Sequence, residues 1–351
     1  MKVFHCDHCG QLLFFENVTC VRCGRALAYV PELRELTSLD RLDAGRWRSP
    51  LTATPLRLCE NYAKHDVCNW ALPAEDPSAL CRACRLTRTI PNLSRPGNDR
   101  LWYNLEVAKR RLFYTLDQLR LPLHDRVEEP EAGLAFEFLE DPQPGSGAPT
   151  VLTGHAAGVI TVNLSEADEA ERVKRRQQLN EPYRTLLGHF RHEVGHYYWD
   201  RLIRGSPRLE GFRRLFGDER ADYNAALQQH YQAAPLNWQD NYVSAYATVH
   251  PWEDWAETWA HYLHMTDTLE TAAACGISLS PRREDEPTLE RLPDPTAGPV
   301  SFEGMMDGWA AITYVLNNLN RGLGSGDAYP FVLSKPSVEK LRFVHETISS
   351  R

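Results

Sequence analysis

The chain has 351 residues, a formal net charge of −8, 42% hydrophobic residues, and nine Trp, 14 Tyr and 12 Phe, enough apolar side chain for a sizeable core. No stretch approaches 18 apolar residues and no charged-then-apolar leader opens it, which argues against a membrane span or a secretory signal and for a cytoplasmic protein of two to three domains. Residues 1–95 hold 13 Lys/Arg and 10 Asp/Glu, against 26 and 37 in the rest, and so acidic a main body argues against nucleic acid as its substrate.

Eight of the nine cysteines fall in the first 84 residues. Cys6 and Cys9 form one CxxC pair and Cys20 and Cys23 another, with Gly10 and Gly24 following, where a glycine lets backbone N–H groups turn toward the sulfurs. Four thiolates at this spacing close a tetrahedral site, so residues 1–30 read as a zinc ribbon. Residues 31–95 read as a linker and a second, looser four-cysteine module of Cys59, Cys68, Cys81 and Cys84, with His65 as a substitute for Cys59 or Cys68. Both sites are expected to be structural, because every coordination position is filled. They also answer a stability problem, since two small modules have little core of their own. A disulfide framework is the alternative, and the missing secretory signal weighs against it. The segment between the sets, PELRELTSLDRLDAGRW, reads as a short helix and a connecting loop. Cys275 reads as a buried small hydrophobe.

A composition shift at 94–98 marks a domain boundary, with residues 96–351 as one further domain. Residues 99–121 read as a helix with Leu101, Leu105, Ala108, Leu112, Leu116 and Leu119 on one side. LAFEFLE reads as a strand, DPQPGSGAP as a loop, and VLTGHAAGVITVNL as a hairpin. SEAD at 165–168 starts a charged helix.

The stretch TLLGHFRHEVGHYYWDRLI contains His192-Glu193-Val194-Gly195-His196. Leu186, Leu187, Phe190, Val194, Tyr197 and Leu202 recur at helical spacing, and on a helix residues four apart share a face. His192 and His196 can then offer two imidazoles to one zinc, while Glu193, rotated about 100° around the axis, can reach the metal's water without ligating. Ligands that hold the ion and a base that takes a proton from its water are what a hydrolytic zinc needs. His189 lies on the same face as a competing ligand or a core histidine. Asp200, one turn past His196, either supports the site or faces solvent.

A catalytic zinc takes a third protein ligand and keeps one position open. The best source is the tryptophan-rich run from Tyr246 to His264, where Pro251 suits a first helical turn and Glu253 and Glu257 share a face. Glu253 is read as the ligand and Glu257 as the acceptor that orients a ligand histidine, the reverse being the alternative. Glu219, among the acidic residues Asp218, Glu219 and Asp222, is the rival third ligand. The arrangement resembles the gluzincin metallopeptidases, whose Glu-x-x-x-Asp/Glu helix gives the ligand and then its supporting carboxylate. Lethal-factor-like gluzincins carry a tyrosine seven residues ahead of that ligand, and Tyr246 stands seven before Glu253. The resemblance implies an oxyanion donor there, against the plainer reading of a packed aromatic.

Residues 280–300, rich in proline and charge, read as a surface loop or flexible insert. MMDGWAAITYVLNNLNRGLG and SVEKLRFVHETI read as helices, the first ended by Gly322 and Gly324, the second capped by Ser337. DAYPFVL between them is a candidate to pack over the cleft.

With HEVGHYYWD, HPWEDWAETWAHYLH, LCRACRLTRTIPNLSRPGN and CDHCGQLLFFEN all in view, the chain resembles the bacterial family of zinc-binding metallopeptidases with an N-terminal zinc-ribbon domain, over nearly its whole length. The expected class is α+β: a mainly helical zincin-like domain with a small edge sheet, preceded by two small four-cysteine modules. The resemblance implies a zincin fold and a cytoplasmic hydrolase and fixes no substrate; the motifs themselves lead us to expect one catalytic and two structural Zn²⁺ and Glu-assisted attack of zinc-bound water on peptide or isopeptide bonds of a protein or peptide substrate. Gly158 to Asn163 stands where the zincin resemblance would place the sheet edge that pairs with extended substrate, a plain structural strand being equally compatible. The competing expectation is a zinc-stabilised adaptor whose central metal site is structural or inactive.

Overall fold

The computed structural model describes the chain except residues 143, 144, 146, 148, 180–184, 233–235, 284, 291–299 and 351. The fold is α+β, in two compact units: residues 2–117 with 122–171, and residue 1 with 118–121 and 172–351.

In the cysteine-bearing unit, β1 (Phe4–His5) pairs with β2 (Leu12–Leu13) around the first CxxC. Next comes an antiparallel sheet of five strands in sequential order: β3 (Ala26–Val30), β4 (Glu35–Arg41), β5 (Trp47–Ser49), β6 (Thr52–Leu58) and β7 (Ala71–Pro73). The short helix expected between the cysteine sets is therefore not formed. Val30 and Pro31 accept from Leu33 and Arg34 in a tight turn, and β4 returns along β3 from Val30↔Glu35 to Ala26↔Leu39. Leu36, Thr37, Ser38 and Leu39 are all buried there, so tertiary pairing overrides the helical tendency of Glu-Leu-Arg-Glu-Leu.

A short helix, α1 (Glu60–His65), follows Cys59, and β8 (Thr87–Thr89) leads into the long α2 (Asn98–Gln118). α2 is buried on more than its predicted leucine side. Phe113 meets Phe136 at 6.0 Å on one flank and Tyr114 meets Phe15 at 5.7 Å on another. A second sheet has the order β10 (Gly154–Ala156), β11 (Val159–Asn163), β9 (Ala135–Leu139), β8. The expected hairpin is present, but the expected free edge is not. β11 lies inside the sheet, parallel to β9 on one side and antiparallel to β10 on the other, so its backbone groups are already used. Gly158 fits that turn because its φ is +84° and a Cβ would sit 2.4 Å from the carbonyl oxygen of Ala132.

The charged helix α3 (Glu169–Leu179) precedes the helical unit proper. Thr185 caps α4 (Leu186–Leu202) by accepting from the Gly188 N–H at 3.0 Å. α5 (Leu209–Phe216) and α6 (Tyr223–Gln232) lead to α7 (Pro251–Ala274), whose first residue is proline and whose cap is the His250 ring. α8 (Phe302–Gly322) and α9 (Lys335–Ser349) complete the unit. The core is aromatic: Tyr198 stacks on Trp259 at 5.0 Å, Phe212 on Phe216 at 4.9 Å, and Trp255 meets Phe216 and Phe343 edge-on.

Two expectations change here. Ser334 caps α9, and Ser337, one turn in, donates its N–H to that cap. Cys275 is exposed, because α7 ends just before it and leaves the core behind. Most of residues 291–300 lies outside the described residues, while Leu279 and Leu289 on its near side bridge each other. In DAYPFVL, Tyr329 is buried against Trp309 of α8 and places its hydroxyl 2.8 Å from His261 Nδ1 of α7.

Candidate metal centres

Among the described residues, three side-chain clusters could each hold an ion: Cys6, Cys9, Cys20 and Cys23; Cys59, Cys68, Cys81 and Cys84; and His192, His196 and Glu253. In each, the donor atoms lie within 4.8 Å of one another. None of the cysteines is in a disulfide.

The first set sits on two matching turns. Gly10 and Gly24 both have φ +72° and donate to the Cys6 and Cys20 carbonyls at 2.8 Å. Cys6 and Cys23 approach to 3.8 Å and Cys9 and Cys20 to 3.6 Å. The second set is fully buried. The Trp70 and Cys81 N–H groups donate to the sulfurs of Cys68 and Cys59 at 3.4 and 3.3 Å. Beside it α2 contributes buried Glu106, Lys109 and Arg110, with Lys109 2.9 Å from Glu106 and Glu106 3.9 Å from the Cys84 sulfur. His65, the suggested substitute, packs its ring on Trp102 and is not in the cluster.

The third set joins α4 and α7. Two features at one glycine bring these helices together. Gly195 has no side chain where Ala256 Cα would stand 3.0 Å away and Trp259 3.2 Å, and the Trp255 indole donates to the Gly195 carbonyl at 2.9 Å. At the contact, His192 Nε2 and His196 Nε2 are 3.2 Å apart, and Glu253 Oε2 lies 3.0 Å from the first and 3.5 Å from the second. The other ring nitrogen of His192 is 2.7 Å from Glu257 Oε1, and the Ser244 hydroxyl donates to Glu257 Oε2 at 2.6 Å. Glu257 thus meets the outer face of a histidine whose inner nitrogen meets Glu253.

Does this set fit a metal? Glu253 Oε2 is a buried acceptor with no hydrogen-bond donor, and two imidazole nitrogens converge on it. Two imidazoles and one carboxylate are borderline-soft donors that suit zinc, and a cation there would answer the buried charge. The imidazoles themselves keep the two carboxylates, Glu253 and Glu257, charged. Burial opposes charge on Glu253, yet His196 and His192 hold its carboxyl well below the usual range. Burial also opposes charge on Glu257, and the bonds from His192 and Ser244 outweigh it, bringing it to about 2. Burial pushes the Glu193 carboxyl up instead, against the pull of His192 and His196.

Tyr246 lies on a single 3-10 turn (Tyr246–Thr248) with its ring 5.9 Å from that of His192, and burial, then Glu253, raise its hydroxyl far above the usual tyrosine range. The rival ligand Glu219 is elsewhere: Arg213 binds both its oxygens, at 2.6 and 2.9 Å. Asp218 pairs with Arg220, Asp222 accepts the Ala225 N–H at the start of α6, and Asp200 pairs with Arg204. His189 is not in the cluster. Sequence reasoning missed Tyr223, whose hydroxyl donates to Glu253 Oε1 at 2.8 Å, and Ser244. Neither carries a spacing signal, since each reaches the site from a separate segment.

Residues 98–347 match the family described as "Putative zinc-binding metallo-peptidase", and residues 3–95 match a zinc-ribbon domain. The chain belongs to this metallo-peptidase family. It is 42% identical over 351 residues, 99% of its length and 95% of theirs, to uncharacterized proteins of Mycobacterium tuberculosis and Mycobacterium bovis. No solved structure matches it. As expected of a zinc-binding family, the described residues bring together two four-cysteine clusters and one His/Glu cluster suited to zinc. Among the described residues, no helix is long and apolar enough to cross a membrane.

Proposed function

We propose that the chain is a zinc-dependent metallopeptidase of gluzincin type that hydrolyses peptide or isopeptide bonds in protein substrates. The carrying observation is the convergence of His192, His196 and Glu253 with Glu193 buried one residue after the first histidine. These three would hold the ion, which when bound supplies a Lewis acid that acidifies water and polarises the scissile carbonyl. Glu257 fixes the His192 ring by its outer nitrogen, which leaves the inner one to face Glu253. The Glu193 carboxylate accepts a proton and returns it to the leaving amine, a role its raised affinity for protons suits. The Tyr246 hydroxyl donates to the developing oxyanion and, being held protonated, remains a donor.

The two four-cysteine sets would hold structural zincs in residues 1–30 and 31–95, and 96–351 would form the catalytic domain. Thiols grouped for metal rather than joined in disulfides support a reducing, cytoplasmic setting. A second reading, an adaptor without hydrolysis, is favoured by the exposed Phe14 and Val21 of the first cysteine module, at 70% and 83%. A peptide-library digest decides between them. Wild type should cleave, and Glu193→Gln should keep its zinc while cleaving about 10²–10⁴-fold more slowly. An intact, zinc-loaded wild type that cleaves nothing would remove the hydrolase reading.

A further inference from the structure

Glu253 has two oxygens with different surroundings. Oε2 faces the imidazoles of His192 and His196, while Oε1 accepts a hydrogen bond of 2.8 Å from the Tyr223 hydroxyl. A carboxylate with one oxygen engaged by an O–H donor presents the other alone, which fixes both its rotation and its denticity. Tyr223 is the first residue of α6, and its ring also packs at 5.3 Å on His250, the residue that caps α7 ahead of Glu253.

The helix that carries this hydroxyl is lightly attached. Among the described residues α6 buries no side chain, whereas α4 and α7, which carry the donors, bury aromatic residues along their length. Its second tie to this region is His230, two turns on, with Nδ1 3.0 Å from Thr248 Oγ1. The Thr248 hydroxyl gives its own hydrogen to the Ala245 carbonyl at 2.7 Å, so the imidazole is the donor in that bond. α6 is thus held through Tyr223 and His230, whose rings also meet those of His250 and Tyr246, and one of these ties ends on a candidate ligand.

We infer that Tyr223 is a positioning residue for Glu253, and that through it zinc binding at the His192–His196–Glu253 centre and docking of α6 are coupled. This rests on reading that centre as a zinc site. Coupling of this kind is reciprocal: whatever seats α6 tightens zinc, and zinc seats α6 by the same factor.

The test uses the full-length chain with its cysteine centres loaded, and the His192→Ala chain as the blank for the central site. Zinc affinity is measured by competition with a chromophoric chelator, and amide hydrogen exchange is followed over 223–232 with and without central zinc. Tyr223→Phe removes one oxygen atom and should weaken central zinc about 10–100-fold. In wild type, zinc should slow exchange across α6, and in Tyr223→Phe it should not. A residue that merely stabilised the fold would leave the zinc-dependent difference in exchange intact. Equal zinc affinity in the two chains, or wild-type α6 exchange indifferent to zinc, overturns the inference. The wild-type exchange comparison stands even if the variant fails to fold. Should wild type itself bind no more zinc than the His192→Ala blank, the reading of the centre fails instead, so the two failures are distinct.

Discussion

The second cysteine centre is fully buried, whereas the His192–His196–Glu253 centre has both histidines half-buried, and the two are completed differently. Around Cys59, Cys68, Cys81 and Cys84, each at most 2% exposed, four sulfurs would complete the coordination of an ion, and buried Lys109 and Arg110 supply positive charge nearby. Around the histidines there are three donors; Glu257 and Tyr223 meet them from outside, and Ser244 stands behind Glu257. A centre closed by protein atoms can serve the fold, whereas one with three donors leaves coordination for chemistry. The difference lies in donor count, in depth and in where the supporting charges stand.

The largest effect should come from breaking the closed centre. Cys68→Ser should cost its unit most of the about 10 kcal/mol or more that a structural zinc contributes, seen as lost zinc and a lost melting transition. His192→Ala, by contrast, should release one zinc and keep the helical signal. If His192→Ala unfolds the chain as completely, the contrast is broken.

Acid sharpens the helical side of the comparison. Burial brings His261 down to about 4, from the 6.5 of a free imidazole, and depresses the neighbouring His264 in the same direction. The unfolded chain therefore takes up protons between pH 6.5 and 4 that the folded one refuses. His261's contribution is whole above 6.5 and is lost as the pH falls toward 4, on the order of 3 kcal/mol. Urea unfolding at pH 7 and pH 4.5 should show this slope, and His261→Gln should flatten it.

The smallest effect concerns the meeting of α4 and α7. Gly195→Ala puts a methyl 3.0 Å from Ala256 Cα and should lower stability by about 1–3 kcal/mol, read as a lower melting temperature with cysteine-bound zinc unchanged. An unshifted melting temperature would mean that the helices can part without cost.

How far could this be read from the chain alone? The helical face shared by His192 and His196, and that shared by Glu253 and Glu257, follow from spacing within one turn, and spacing is local information. The cysteine clusters are legible for the same reason. The five-stranded sheet was not, because β4 and β6 lack clean alternation: Leu36 to Leu39 are buried on both faces, and Thr52 to Leu58 mix exposed and half-buried positions around one buried residue, Leu56. The interior place of β11 depends on β9, well before it in the chain, and on no signal within VITVN itself. Tyr223 is one tyrosine in a polar helix and has meaning only beside Glu253.

The indole of Trp255 and the bare backbone of Gly195 act as a bracket between the two helices that carry the donors. Whatever shifts one helix drags the other, so the spacing of imidazole and carboxylate cannot be retuned by small changes at either. Change that leaves the donors in place then has to fall outside the bracket, and between 203 and 250 it has to spare Tyr223, Ser244, Tyr246 and His250, which meet the centre or cap α7.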